Sequence, residues 1–419
     1  MWSTESEAPV DLRKDCDAIV ERAIRRVLPD EAVSRALAEF RPPEGKLILA
    51  AVGKAAWTMA RAAWDSLGDR IDEGIVITKY AHSQGPIGPL RIREAGHPVP
   101  DDNSFQATRE LLAMTAELTE ADAVIFLLSG GGSALMEAPL VPGEELQDIT
   151  AQMLACGADI VEMNTVRKRL SAVKGGRFAR HCAPARVFSV VLSDILGDPL
   201  DMIASGPAYP DSSSCAEAAA IVRKYGLRLS EEAKRRLEEE TPKALDNVTT
   251  QITGSVRELC AAAGQVCESL GYRVVQLTDC LNCEAREAGC FLAAILRSHG
   301  ESRESLAFVA GGETVVHVTG SGRGGRNQEL ALAAAEGIAG LEGAAVFSLG
   351  SDGTDGPTDA AGGFADSETV GRLRSAGFDL YEVLRNNDAY TALKASGGLI
   401  VTGATGTNVN DVAVALLKR

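Results

Sequence analysis

Short, fully apolar runs alternate with longer amphipathic stretches along the chain. LILAAV (47–52), GIVITK (74–79), AVIFLLS (123–129) and ARVFSVVLSD (185–194) have strand length and little in–out alternation. Each therefore reads as a strand covered on both faces. LRIREAG (90–96) is a further candidate strand. Residues 11–40 predict a helix broken near Pro29, helices follow over 54–67 and 103–118, and 212–240 is polar, acidic and helical. Alternation of this kind predicts an α/β fold with a mostly parallel sheet.

After Thr241-Pro242, the segment NVTTQITG (247–254) reads as a hinge or crossing. The second half then repeats the style. It runs through helix 255–270, RVVQL (273–277), helix 284–299, SLAFVAGGE (305–313) and TVVHV (314–318), then helix 327–340, AAVFSLG (344–350), GLIVTGATG (398–406) and NVNDVAVALLK (408–418). No sequence repeat relates the halves. Two α/β domains are expected, 1–245 and 246–419, with the first helix free to pack on the other domain.

Composition narrows the classes. At 419 residues and 45% hydrophobic content the chain can bury sizeable cores. A formal net charge of −16 argues against nucleic-acid and anionic-membrane partners, while leaving room for a local basic pocket. No apolar run reaches the ~18 residues of a membrane span. The opening MWSTESEAPVDLRKDC lacks the charged-then-apolar order of a leader. Nine scattered cysteines read as reduced thiols of a cytoplasmic protein. Cys280, Cys283 and Cys290 lack the second pair of a zinc ribbon and read as packing on a strand-to-helix turn.

The candidate chemistry lies where strands end, the place at which open α/β sheets bind ligands. Gly53-Lys54 follows LILAAV and opens a helix, whose first amides and lysine favour an anion. It is not a Walker A loop, since Ile48 stands where the first glycine belongs and Ala55 replaces Ser/Thr. Gly130, Gly131 and Gly132 let a phosphate or carboxylate approach the backbone, with Ser129 and Ser133 as donors. Neither a dinucleotide fingerprint nor G-x-S-x-G surrounds them. Arg167, Lys168, Arg169, Lys174 and Arg177 form a basic island that reads as an anion funnel, with Lys174 among the ligand contacts. Asp194, at a strand end ahead of Asp198 and Asp201, suits magnesium or proton transfer.

In the second half Glu313 follows two glycines. Arg323 and Arg326 lie in a glycine-rich loop that opens a helix at Asn327, an arrangement suited to phosphate or carboxylate. GSDGTDGPTDAAGG (350–363) fails the EF-hand spacing. A magnesium shared with phosphates needs only one or two protein carboxylates, which leaves Asp352 and Asp355 as metal candidates and Asp359 as a turn or cap residue. LRNNDAY (384–390) and TGATGTNVND (402–411) either order a small polyol-acid or cap helices. His317 reads as structural, and His97 is the one histidine in a suggestive loop.

Taken in order, AVGKAAWTMA, GHPVPDDNS, LLSGGGSALMEAPL, MNTVRKRLSAVKGGR, LSDILGDPLDMIASGP, GGETVVHVTGSGRGGRNQE, GSDGTDGPTDAAG and TGATGTNVND resemble the class II glycerate kinases (glycerate 2-kinases) with a MOFRL-type C-terminal domain. The resemblance runs from about residue 51 to 411. It implies a Rossmann-like first domain, a MOFRL-type α/β second domain and an active site in the cleft between them. It also implies phosphorylation of D-glycerate to 2-phosphoglycerate with ATP and Mg2+, by a monomer or homodimer. Lys54, Asp194 and Arg326 match the family's catalytic positions. The competing readings are an NAD(P)H-dependent hydroxypyruvate reductase, disfavoured by the missing dinucleotide fingerprint, and a non-catalytic carboxylate-binding sensor.

Overall fold

The computed structural model describes residues 11–419, so the opening segment examined for a leader lies, through residue 10, outside the described residues. The chain divides into two compact units. One is Pro29–Thr253; the other combines the segment ending at Leu28 with Gly254–Arg419.

The first unit is built on β1 (Leu47–Val52), β2 (Glu73–Lys79), β3 (Arg91–Ala95), β4 (Ala123–Leu128), β5 (Arg186–Leu192) and β6 (Val248–Gly254). Their order is β3-β2-β1-β4-β5-β6, and the pairs from β3 to β5 are parallel. This is the doubly wound Rossmann order, in which the winding reverses between β1 and β4. Successive side chains of β1 enter different cores. Ile48, Ala50 and Val52 join Phe126 and Phe178, whereas Leu47, Leu49 and Ala51 join Ile125 and Met59. Both faces are thus covered, which explains the unbroken apolar runs. The acidic stretch supplies helices Cys215–Tyr225 and Glu231–Leu237, which share a smaller core around Leu146, Ile149, Met163 and Ile221. The segment expected as a hinge or crossing, 247–254, forms the edge strand β6 beside β5, and the chain passes to the other unit at its end. Its threonines have the β-branched shape that strands favour.

The second unit holds β7 (Arg273–Leu281), β8 (Leu306–Gly312), β9 (Ala344–Gly350), β10 (Gly362–Asp366), β11 (Leu399–Ile400) and β12 (Asp411–Leu417). The order is β11-β10-β9-β12-β8-β7. Only β7 and β8 pair in parallel. β12 runs antiparallel between β8 and β9, and β10 is antiparallel to β9 and β11. The style of the first half is therefore not repeated, because an apolar run encodes burial and not direction. Helix Leu12–Arg26 belongs to this unit: Tyr272 Oη and Lys418 Nζ donate to Asp15 Oδ2 at 2.6 and 3.3 Å.

TVVHV forms no strand. Val315 makes a single bridge to Glu284, and Asn387 replaces a neighbouring strand as partner. Its Oδ1 accepts from the amides of Thr319 and Gly320, and its Nδ2 donates to His317 O. Val315 and Val318 stay exposed, as does His317. All nine cysteines are free thiols. No helix among the described residues is long and apolar enough to cross a membrane.

Candidate active site

In the parallel-sheet unit, five strand ends bring chemistry to one edge. Lys54 follows β1, Lys79 ends β2, His97 follows β3, Gly130 follows β4 and Asp194 follows β5. The β1 and β4 loops flank the point where the winding reverses, where ligands bind in such sheets. Lys54 N donates to Gly130 O at 2.9 Å and ties these two loops together. Ser129 Oγ accepts from Ala55 N at 3.1 Å, satisfying an amide just ahead of helix Ala56–Leu67.

The glycines set how closely the other groups approach. A Cβ at Gly130 would stand 2.3 Å from Asp194 Oδ2, so only glycine lets that carboxylate lie against the turn. Gly131 has φ of 87°, and a Cβ there would stand 3.0 Å from His97 Cδ2 and 3.2 Å from Lys54 Cγ. Lys54 is exposed, and among the described residues no salt bridge engages its ammonium. Burial lowers the His97 pKa, and the charges of Lys54, Lys79 and His82 lower it further, so its imidazole is neutral at neutral pH.

The mixed-sheet unit assembles a different edge. Because β12 is antiparallel to its neighbours, its first residue, Asp411, pairs with Gly312 and Gly350, the last residues of β8 and β9. Arg326 grips Asp411 with two bonds, Nε to Oδ2 at 2.5 Å and Nη2 to Oδ1 at 3.0 Å. Its Nη1 donates to Glu313 Oε1 at 3.0 Å. Asp352 Oδ1 and Asp411 Oδ1 each lie 3.4 Å from where a Cβ of Gly350 would stand, so both carboxylates crowd this strand end. Burial disfavours the Arg326 charge, but the bond and charge of Asp411 and the charge of Glu313 outweigh it and raise the pKa. Burial also raises the Asp411 pKa, against the pull of Arg326.

Asp355 stands at the start of helix Arg326–Ile338. It accepts from Asn327 N at 3.2 Å and Gln328 N at 2.9 Å, and from the side chains of both residues. Gly325 precedes that helix without a capping side chain, so this distant carboxylate supplies the cap.

Two family models match the chain, the first beginning inside helix Leu12–Arg26 and not at the boundary of the parallel-sheet unit. A domain of unknown function, DUF4147, matches residues 15–238, and the MOFRL family matches residues 306–411. The D-glycerate 2-kinase of Thermotoga maritima is 51% identical over 98% of this chain and 99% of its own length. The chain belongs to the glycerate 2-kinase family. The crystal structure of a glycerate kinase from Thermotoga maritima superposes with a TM-score of 0.91 over 97% of this chain and 99% of that one. Another relative, from Agrobacterium vitis, carries a provisional hydroxypyruvate reductase name and is 38% identical over 97% of this chain and 95% of its own.

Against the family's positions, the expected residues sort by what they touch. Lys54, Asp194 and the turn from Gly130 to Gly132 converge at one edge. Glu313 and Arg326 converge at the other, and Asp352 closes a local turn there by accepting from Thr354 N. Arg323 is exposed, stacked 4.7 Å above the Tyr390 ring.

Others are occupied inside the protein. The basic island is no funnel. Lys168 pairs with Asp211 and Asp201, Arg169 with Asp211 and Glu240, and Arg177 donates to Arg169 O and Ser171 O. Lys174 has a fully buried side chain paired with Glu137 at 2.9 Å, which removes it from the ligand contacts. Asn327 is buried, bonded to Asp355 and Ser348. Asp355 is buried as the helix cap, so it is not left over for a metal.

Lys79 and His82 escaped the sequence reading, and nothing local marked them. Asp411 closed the flagged stretch TGATGTNVND without being singled out; its own signal is a carboxylate directly ahead of an apolar run.

Proposed function

We propose that this chain transfers the terminal phosphoryl group of ATP to the 2-hydroxyl of D-glycerate, yielding 2-phosphoglycerate and ADP. One observation carries the reading. In a chain of this family, an exposed lysine, a three-glycine turn and a carboxylate converge where the winding of a parallel sheet reverses. Phosphoryl transfer asks for little covalent chemistry; it needs positioning and neutralisation of charge. Lys54 is assigned phosphate charge at the parallel-sheet edge, and Arg326 is the mixed-sheet unit's candidate for the same kind of charge. Asp194 is assigned the proton of the glycerate hydroxyl as its oxygen takes the phosphorus. The Gly130–Ser133 turn binds phosphate or the substrate carboxylate through its backbone.

Magnesium fits this donor set in a restricted way. Among the described residues, no three His, Cys, Asp or Glu side chains group to hold an ion. An ion coordinated mainly by phosphates takes only one or two protein carboxylates. Asp194, in the parallel-sheet unit, or Asp352, in the mixed-sheet unit, would supply such a carboxylate, and the bound ion would neutralise phosphate charge.

The test is ADP release coupled to glycerate addition, with the phosphate position read from the product by NMR. ADP formed only with glycerate, and phosphate on carbon 2, is the expected result. Nicotinamide oxidation with hydroxypyruvate and no ADP would replace this reading with the reductase. Glycerate binding without either reaction would leave a sensor.

A further inference from the structure

Behind the Gly130–Ser133 turn lies a pair of charges that no ligand can touch. The side chains of Lys174 and Glu137 are both fully buried, with Lys174 Nζ 2.9 Å from Glu137 Oε2. The same ammonium donates to Ser133 O at 2.9 Å and to Met136 O at 2.8 Å. Arg167 Nη2 adds a second donor to Ser133 O at 3.2 Å. The Glu137 carboxylate rests on the Lys174 charge, with Arg167 Nη2 a more distant partner at 4.0 Å, since among the described residues no oriented hydrogen bond reaches either of its oxygens.

The side-chain end of the turn is held independently. Ser133 Oγ lies 3.2 Å from Ser205 Oγ, which donates to Asn164 Oδ1 at 2.8 Å. Ala204 and Ser205 have φ of 50° and 63°, and the methyl of Ala204 packs against Gly132.

Stability does not account for the pair. Two buried charges lose hydration that their attraction barely restores, and well-packed apolar replacements are often neutral or stabilising. What an apolar pair could not do is donate to Ser133 O and Met136 O. Burial lowers the Lys174 pKa to about 8 against the opposing charge of Glu137, which leaves the ammonium protonated at neutral pH.

We propose that Lys174, charge-balanced by Glu137, is a positioning residue for phosphoryl transfer, fixing the Gly130–Ser133 turn from behind through Ser133 O and Met136 O. This rests on reading that turn as the binding turn. A displacement of about 1 Å in such a group costs on the order of a hundredfold in rate.

The deciding variant is the double substitution Lys174→Met with Glu137→Leu, which removes both charges together. Expected are an unfolding temperature near that of the parent, kcat lowered by roughly 30- to 100-fold, and KM values for ATP and glycerate moved far less. A folded double variant with kcat within about threefold of the parent overturns the proposal, because a merely structural pair predicts that recovery. If the double variant does not fold, Lys174→Arg is measured in its place. It keeps the charge but cannot bring one nitrogen to both carbonyls, so kcat should fall about tenfold at unchanged KM, and a parental kcat overturns the role. Lys54→Ala serves as the reference. Full turnover there would sink the binding-turn reading itself, whereas an inactive Lys54→Ala beside a parental double variant would remove only the positioning role.

Discussion

Lys54 and Arg326 both stand beside strand ends, yet their surroundings are opposite. Lys54 is exposed, and among the described residues it has no salt bridge; with Lys79 and His82 it acts on His97, and the Asp194 carboxylate lies against the adjoining Gly130 turn. Arg326 is half-buried and clasped by Asp411 and Glu313, with Asp352 crowding the same strand end. Lys54 at the parallel-sheet edge is thus held by no ion pair among the described residues and takes its geometry from an anion that binds there. The mixed-sheet edge is organised already, by its own carboxylates. A flexible lysine gains its geometry from the ligand, whereas an arginine fork held bidentately arrives pre-oriented. In a kinase the first arrangement suits binding of phosphate charge, and the second suits a guanidinium kept still beside groups that attract a cation.

The sharpest test of this contrast combines rate and stability. Lys54→Ala should lower turnover by about two to three orders of magnitude and leave the unfolding midpoint unchanged. Arg326→Ala should lose comparable activity and also destabilise by about 2 kcal/mol in denaturant titration, because Asp411 is left buried and unpaired. That figure is below the value for a fully buried pair because the Arg326 side chain is 35% exposed. Equal stability losses in both variants would erase the distinction.

Next in size is Asp194→Asn, which should fold and bind ATP in calorimetry yet turn over at least a hundredfold more slowly, as a missing proton acceptor requires. Full activity would exclude Asp194 as the base.

Asp355 gives a smaller signal, in pH rather than rate. Burial raises its pKa to about 6, partly opposed by the amides of Gln328 and Asn327. The folded chain therefore holds this proton more tightly than the unfolded chain does. The resulting stabilisation is complete below about 3.8 and lost as pH rises through about 6. Denaturant midpoints measured from pH 4 to 6.5 should fall with this slope, and Asp355→Asn should flatten it.

Smallest is Ser129→Ala, which removes an acceptor from the start of helix Ala56–Leu67. It should cost about 1 kcal/mol with little change in KM. A large rise in KM would return Ser129 to the ligand contacts.

Much of the first sheet was legible because buried parallel strands are continuous apolar runs: LILAAV coincides with β1, and AVIFLLS with β4 plus one residue. The second sheet was less so. GGFAD, which forms β10, opens on two glycines and carries only two apolar residues, while TVVHV has strand-like residues without a neighbouring strand to pair with. The candidate site divided the same way. Strand-end glycines and Lys54 announce themselves locally. Whether a charge faces a ligand depends on partners far away in sequence. Lys168 looks identical on paper whether or not Asp211 lies 2.9 Å from it. Asp355 read as a metal ligand because its helix begins 29 residues earlier, at Arg326.

The central place of β12 has a consequence for how the protein is made. Everything from Pro29 to Thr253 leaves the ribosome earlier and holds all six strands of the parallel sheet, so that unit can close during synthesis. The mixed sheet cannot. Its helix Leu12–Arg26 emerges first, but β8 and β9 meet only through β12, the last strand translated. That helix must wait, with its apolar face uncovered, through the synthesis of the whole parallel-sheet unit, and β8 and β9 then wait in turn until Asp411–Leu417 is made. A stall or premature stop before Asp411 would release a chain with one finished unit and one aggregation-prone half, a natural substrate for chaperones and proteases.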